Sequence, residues 1–378
     1  MTREGSSIEE PIPALAHLPR APNPRREDGM DYLTPRPDLY DVPFMAEEFN
    51  GMPYRRVGAS GLQASAIGLG TWKFGYPHTG DGARVDERTA FAIFDRAIEL
   101  GVTFWDTANR YNAGSGNSER LIGRWLRANP EQRRNIVLAT KLHGGMDGAT
   151  PNHSGLSRTN IVDALRASLA RLQLDYVDVL YFHRFDPGVP IEESLETIED
   201  LVRQGVVRYF AVSNFTRDQL ADYLKVQETL SRRCRPVAVQ NQFDPVNREP
   251  ERFVGALELC AAQGVAYVPY SPLAGGLLTT RYLDPAKAGA GDRLHDEGRL
   301  AAAATPEKLA VVRRLVKLAE AWEIEVSQLA LAYLLTLPGM GPQIPSSSTV
   351  AQLESNAAAG RVTLTSEQLA EIEAALSA

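Results

Sequence analysis

From Ile67 to about Ala359, short apolar runs bounded by turn residues alternate eight times with longer segments whose apolar residues recur three and four positions apart. This is the pattern of strand-then-helix units, and strands joined through helices run parallel. Asp86 to Leu100 illustrates the helical half: Phe91, Phe94, Ala97 and Ile98 fall on one face, with Asp86 placed as N-cap and Gly101 as the closing C′ residue. The expected strands are 66–70, 102–105, 136–139, 177–182, 207–212, 237–240, 265–269 and 343–345. The expected helices are 86–100, 117–128, 159–172, 191–203, 216–224, 250–262, 306–321 and 349–359, with a long glycine-bearing loop ahead of 306. Ahead of the first unit, 54–57 and 62–65 flank Gly58-Ala-Ser-Gly61 as a small hairpin.

Such a series closes either as a doubly wound open sheet or as a (β/α)8 barrel. An open dinucleotide-binding sheet calls for G-x-G-x-x-G at its first turn, whereas here Gly68-Leu-Gly70-Thr-Trp-Lys73 has lysine in the sixth place. The expectation is therefore an α/β chain folded as a (β/α)8 TIM barrel, the hairpin plugging its bottom. The 328 residues from Gly51 onward suit one such barrel. Residues 1–50 carry eight of the 24 prolines, too many for regular structure, and form a Pro-rich extension ahead of a 51–378 catalytic domain. The extension is either a solvated tail or a strap over the surface or a neighbouring subunit. Tyr32, Leu33, Leu39, Tyr40, Val42, Phe44, Met45 and Phe49 favour docking of 30–50.

Composition narrows the partners. With 40 basic and 47 acidic residues the chain carries a formal charge of −7 and no cationic stripe, which argues against nucleic acid. Its two cysteines, Cys234 and Cys260, form neither a CxxC nor a Cys/His spacing, so a disulfide framework and a zinc knuckle are excluded and a reducing cytoplasm is expected. No apolar stretch is long enough to span a bilayer, and the first residues lack the apolar core of a secretory signal. A homo-oligomer is compatible with all of this.

In a barrel, chemistry sits on the loops after the strands. The residues just past each expected strand are Thr71-Trp72, Asp106, Lys141, His183, Ser213-Asn214, Gln240, Tyr270-Ser271 and Ser346. Asp, Lys and His in a barrel mouth must be paired, because an isolated buried charge costs several kcal/mol. Taken singly, each has an ordinary reading: Asp106 as a turn residue, Tyr111 as a rim aromatic, Lys141 as a solvated charge, His183 as a packing residue. Their conjunction points to one site.

Thr103-Phe-Trp-Asp-Thr-Ala-Asn-Arg-Tyr-Asn-Ala-Gly114 with Asn117-Ser-Glu119, then Ala139-Thr-Lys141, then Tyr181-Phe-His183-Arg, resemble the signatures of the aldo-keto reductases. Ser213-Asn214-Phe215 and Tyr270-Ser-Pro-Leu-Ala-Gly-Gly276 are similar to that family's cofactor segments. The match runs over roughly 53–376, and looks closer to the branch of the voltage-gated potassium channel β subunits and related bacterial oxidoreductases than to the classical aldose reductases. It implies hydride transfer between a nicotinamide cofactor and a carbonyl or alcohol, with Asp106, Tyr111, Lys141 and His183 as the catalytic set. The chemistry is coherent. A phenol with an ordinary pKa near 10 is a reluctant acid, a neighbouring cation makes it a better one, and a carboxylate holds that cation in place. His183 would orient the substrate carbonyl, and the scheme calls for no metal.

The resemblance further implies that Tyr270 stacks on the nicotinamide, that Ser213, Asn214 and Gln240 bind its carboxamide, and that Trp72 and Asp106 lie against the cofactor. Ser271, Pro272 and Leu273 would line the pyrophosphate beneath a lid reaching about Ala304. At the last strand end, Ser346, Ser348, Gln352 and Asn356 occupy adenosine-binding positions, but Ser355 stands where Glu is usual and Gln352 where Arg often is. The bases expected for a 2′-phosphate are missing there, yet Arg281 and Arg293 match phosphate-contacting residues, which favours NADP(H) over NAD(H). Trp72, Tyr76, Arg110, Asn112 and Arg184 are the substrate-pocket candidates, and the two arginines suggest a polar or oxygenated substrate. The same resemblance keeps a second class open: a cofactor-binding regulatory or scaffold subunit with little turnover.

Overall fold

The computed structural model describes residues 47–76, 78, 84–146 and 148–377. The Pro-rich extension, with the expected docking of 30–50, lies outside them apart from its last few residues. Those begin a three-stranded antiparallel sheet of β1 (Glu48–Phe49), β2 (Met52–Arg56) and β3 (Gln63–Ser65), the last two forming the expected hairpin.

Seven parallel strands follow in chain order around one sheet: β4 (Leu69–Gly70), β5 (Phe104–Asp106), β6 (Val137–Leu142), β7 (Val177–Phe182), β8 (Val207–Ser213), β9 (Pro236–Gln242) and β10 (Ala266–Tyr270). The eighth expected strand, 343–345, is reduced to isolated bridges, Ile67 to Gln343 and Gly70 to Ser346. It still closes the barrel. Tyr267 bonds Gly339 and Gly341 on one side, while Gln343 and Pro345 bond Ala66, Gly68 and Gly70 on the other. The expected first strand, 66–70, likewise pairs continuously only over β4.

Side chains alternate across each strand, so residues of one parity enter the barrel. Phe104, Ala139, Val179, Tyr181, Ala211, Ala238, Ala266, Val268 and Ile344 form this inner core, with Val57 and Ala64 of the hairpin packed against it. The opposite parity, including Trp105, Leu138, Leu180, Phe210 and Val239, joins the larger core beneath the helices. Small inner residues leave room for the mouth above them. The inward parity continues through Asp106, Lys141, His183, Ser213, Gln240 and Tyr270 at the C-terminal ends, which is why these polar residues converge.

Around the sheet lie α1 (Glu87–Glu99), α2 (Asn117–Ala128), α3 (Arg158–Leu172), α4 (Ile191–Arg203), α5 (Arg217–Gln227) and α6 (Ala256–Gln263). Asp86 caps α1 by accepting from Thr89 N, and Gly101 follows it in the left-handed region. The single helix expected over 250–262 is broken: a short turn at Glu251–Phe253 precedes α6, because Gly255 sits at φ 82° between them. The segment before 306 is not a plain loop either. It folds into short turns and α7 (Arg293–Asp296) and α8 (Leu300–Ala303), followed by α9 (Pro306–Ala321). Two further helices, α10 (Val326–Thr336) and α12 (Ser366–Ser377), flank α11 (Val350–Ala358) and were not expected from the sequence pattern. Among the described residues no helix is long and apolar enough to cross a membrane.

Candidate active site

Lys141 is fully buried near the end of β6, with its ammonium 2.5 Å from Asp106 Oδ1, 2.9 Å from the Thr107 carbonyl and 2.8 Å from the Tyr111 hydroxyl. Burial pushes the Lys141 pKa down, and the Asp106 carboxylate counters it by favouring the charged form. Asp106 spends its other oxygen on Gln240 Nε2 at 2.8 Å. The buried ion pair is thus fully bonded, the condition under which such a pair is tolerated.

Tyr111 is half-buried, its hydroxyl at the open end of this chain of contacts. His183 sits edge-on to it, ring centroids 6.0 Å apart and planes at 74°. Burial first, then the Lys141 charge with His143, Arg110 and Arg184, lower the His183 pKa to about 3. The imidazole is neutral at neutral pH and can donate one N–H while Tyr111 offers its O–H. The four residues therefore give two converging donors backed by one buried cation.

Beside them, Asn214 donates to Ser213 Oγ at 3.1 Å and to the His183 carbonyl at 3.0 Å, and accepts from Tyr270 Oη at 3.0 Å. Ser213 Oγ donates to the Gln240 carbonyl at 2.9 Å. These form one network bordering the catalytic cluster. Gln240 has a contact the sequence reading did not assign it, holding Asp106.

A cavity of about 470 Å³ opens next to this network. Ser271, Pro272, Leu273, Arg281, Arg293, Ser346, Ser348 and Gln352 all line it, together with Gly275 and Gly276 of the cofactor-like segment and with Lys73 and Arg84, to which the sequence pattern assigns no role. Ser346 Oγ is buried there without a hydrogen-bond partner among the described residues. Basic side chains, two glycines and an unsatisfied hydroxyl on one cavity fit a phosphate-bearing cofactor. The lid crosses this cavity through ion pairs of Lys73 with Glu297 at 2.9 Å, Arg293 with Glu297 at 3.0 Å and Arg281 with Asp292 at 3.1 Å. Trp72 lies against both bases, 3.8 Å from Lys73 Nζ and 4.8 Å from Arg293 Cζ.

Three expected residues do not join the open mouth. Asn356 is buried and donates to Ser347 Oγ at 3.0 Å, outside the cavity lining. Asn112 is buried, accepting from Asn117 Nδ2 at 2.7 Å and from Tyr76 N at 3.3 Å. The Tyr76 hydroxyl meets Glu87 and Arg124 on α1 and α2. Arg110 and Arg184 stay exposed at the mouth. Glu119 of the quoted Asn-Ser-Glu motif braces the site from behind: fully buried, it accepts from Thr140 Oγ1 and Arg171 Nε, each at 2.6 Å.

This is the strand-end geometry of a barrel oxidoreductase. Residues 66–377 match the model of the Aldo/keto reductase family, and the chain belongs to that family. An aldo-keto reductase of Alternaria alternata is 33% identical over 305 residues, 74% of this chain and 80% of that one. The L-glyceraldehyde 3-phosphate reductase of Escherichia coli K12 is 31% identical over 336 residues, 86% of this chain and 93% of its own length. A putative voltage-gated potassium channel subunit beta of Schizosaccharomyces pombe is 33% identical over 310 residues, covering 81% and 87% respectively. Family membership and the reductase-named relatives support an oxidoreductase.

Proposed function

We propose that the protein is an NAD(P)(H)-dependent aldo-keto reductase in which Tyr111 is the general acid for reduction and the general base for oxidation. The observation that carries this reading is the buried Lys141 ammonium held between the Asp106 carboxylate and the Tyr111 hydroxyl. An alkoxide formed in the mouth needs a proton, and Tyr111 can give it because the ammonium 2.8 Å away stabilises the phenolate left behind. Neutral His183 donates to the carbonyl oxygen and fixes which way it points. Tyr270 and Asn214 would hold the nicotinamide, whose chemistry when bound would be to give or take the hydride.

The cavity bases Arg281, Arg293, Lys73 and Arg84 support NADP(H) over NAD(H). The substrate is a small aldehyde, ketone or sugar-like carbonyl. Free, buried Cys234 and Cys260 support a cytoplasmic setting, and we take 51–378 as the catalytic domain after the 1–50 extension. The similarity to a channel β subunit supports a second reading, a cofactor-binding scaffold with little turnover.

Purified protein with NADPH or NADH and a panel of carbonyls, glyceraldehyde 3-phosphate included, separates the two. Turnover that falls about 10²- to 10⁴-fold in Tyr111→Phe, with cofactor binding retained, supports the reductase. Tight cofactor binding with no turnover, indifferent to Tyr111→Phe, supports the scaffold.

A further inference from the structure

Strands β5, β6 and β7 are neighbours, and the segment leaving each carries a basic side chain just beyond its catalytic residue: Arg110 after Asp106, His143 after Lys141, Arg184 after His183. The pairing of Leu142 with Phe182, reinforced by His183 N donating to the Leu142 carbonyl at 2.9 Å, sets His143 and His183 side by side. Arg110 folds back over Gly144 so closely that a Cβ there would stand 2.3 Å from its Cδ and 2.5 Å from Nη1. Only glycine leaves Arg110 that position.

The charges of Arg110 and Arg184 reach both His143 and His183 and add to the effect of burial in lowering their pKa values. Among the described residues, the carboxylates beside the group are Asp106 and Asp186. Asp106 is already held by Lys141 and Gln240, while Asp186 accepts from Leu156 N at 2.8 Å and Gly188 N at 2.9 Å. Neither Arg110 nor Arg184 forms an ion pair with a described residue, unlike Lys73 and Arg293 across the mouth, both bound to Glu297. Among the described residues the group therefore sets two guanidiniums against the one nearby carboxylate of Asp186, an excess of positive charge on one flank of the catalytic histidine, in reach of solvent.

We propose that Arg110, His143 and Arg184 form an anion subsite beside His183, so that preferred substrates are small carbonyl compounds bearing a phosphate or a carboxylate. Two guanidiniums offer forked donors suited to either oxyanion, and His143 adds a single N–H. The anion would anchor the far end of the substrate while His183 and Tyr111 take its carbonyl. This rests on the reductase reading and specifies its substrate class.

Matched pairs test it: glyceraldehyde against glyceraldehyde 3-phosphate, and butanal against 4-oxobutanoate, each with the full chain and NADPH. The anionic member of at least one pair is expected to have a kcat/KM higher by about tenfold or more, mainly through KM, with the advantage shrinking as salt is added. The pair that shows it tells phosphate from carboxylate. Arg110→Gln and Arg184→Gln should each cut that preference about tenfold, Arg110→Lys should restore part of it, and Gly144→Ala should reduce it without changing any charge. Equal turnover within both pairs, or a preference that survives Arg110→Gln and Arg184→Gln alike, overturns the subsite and leaves the reductase reading standing. No turnover of any member overturns both.

Discussion

Gln240 donates to the one oxygen of Asp106 that Lys141 does not hold, 2.8 Å from Nε2 to Oδ2. A carboxylate this deep in a barrel is stable only with both oxygens satisfied, so the amide contributes to the ion pair and, through it, to the position of the ammonium under Tyr111.

Gln240→Met keeps the volume and removes the donor. It should lower unfolding stability by about 1.5–3 kcal/mol, the range for losing a hydrogen bond to a charged group. It should also reduce kcat by roughly tenfold, a barrier change of about 1.4 kcal/mol. Urea melts and steady-state kinetics on one preparation check both. A loss of cofactor affinity alone, with stability unchanged, would show that the amide serves the cofactor and not Asp106.

Much of this arrangement was legible in the sequence because it follows from parity. Once strands ending at Asp106, Lys141 and His183 are recognised, alternation sends all three inward, and the glycine and cap signals at Asp86 and Gly101 fix the flanking helix. What was illegible lacked contrast. Helix α10 is apolar on nearly every side, with Val326, Leu329, Ala330, Leu331, Tyr333 and Leu334 all buried, so no periodicity marks it. The eighth strand survives only as bridges whose partners are distant in sequence. Lys73, Arg84 and Glu297 escaped notice because their meeting depends on how the lid crosses the mouth, which no local pattern encodes. Asn112 and Tyr76, read as substrate-pocket candidates, bond to each other across two loops 36 residues apart, a pairing no local pattern encodes.

The glycines that close helices give a sharper test of local geometry. Gly101 and Gly205 both follow helices in the left-handed region, at φ 73° and 76°. A Cβ on Gly101 would lie 2.0 Å from the Phe49 carbonyl oxygen, whereas one on Gly205 meets nothing within 4 Å. Gly205→Ala should therefore cost only the conformational term, about 1–2 kcal/mol, and Gly101→Ala clearly more, since β1 must move as well. Denaturant midpoints of the two variants, measured side by side, decide it. Equal losses would mean that the close approach of Phe49 carries no energetic weight.

Glu297 links lid chemistry to pH. Burial alone would raise its carboxyl pKa, but the hydrogen bond from Lys73 and the charge of Arg293 outweigh that and hold it at about 2, below its ordinary 4.5. On acidification the unfolded chain takes up this proton first, so the stability Glu297 contributes is complete above about pH 4.5 and is lost as pH falls toward 2. The stability gap between wild type and Glu297→Gln should be constant from neutrality down to pH 5 and narrow below it. A gap that instead narrows between pH 8 and 6 would point to a different titrating group.

His183 runs the other way from an exposed imidazole. Its pKa of about 3 lies below the ordinary 6.5, from burial and from the nearby charges of Lys141, His143, Arg110 and Arg184. The folded ring stays neutral where an unfolded one would protonate, so the unfolded state binds the extra proton and stability falls as pH drops from 6.5 toward 3. In the native protein the ring keeps its neutral form across roughly pH 5 to 8, with one nitrogen able to donate to a carbonyl oxygen throughout. Nitrogen-15 spectra of labelled protein, assigned by comparison with His183→Gln, should show no His183 titration in that interval. The wild type should also lose stability faster than His183→Gln as the pH is lowered from 6.5. A midpoint near 6.5 in those spectra would mean that burial does not hold the ring neutral and that a share of it is charged near neutrality, making it a competing proton donor to Tyr111.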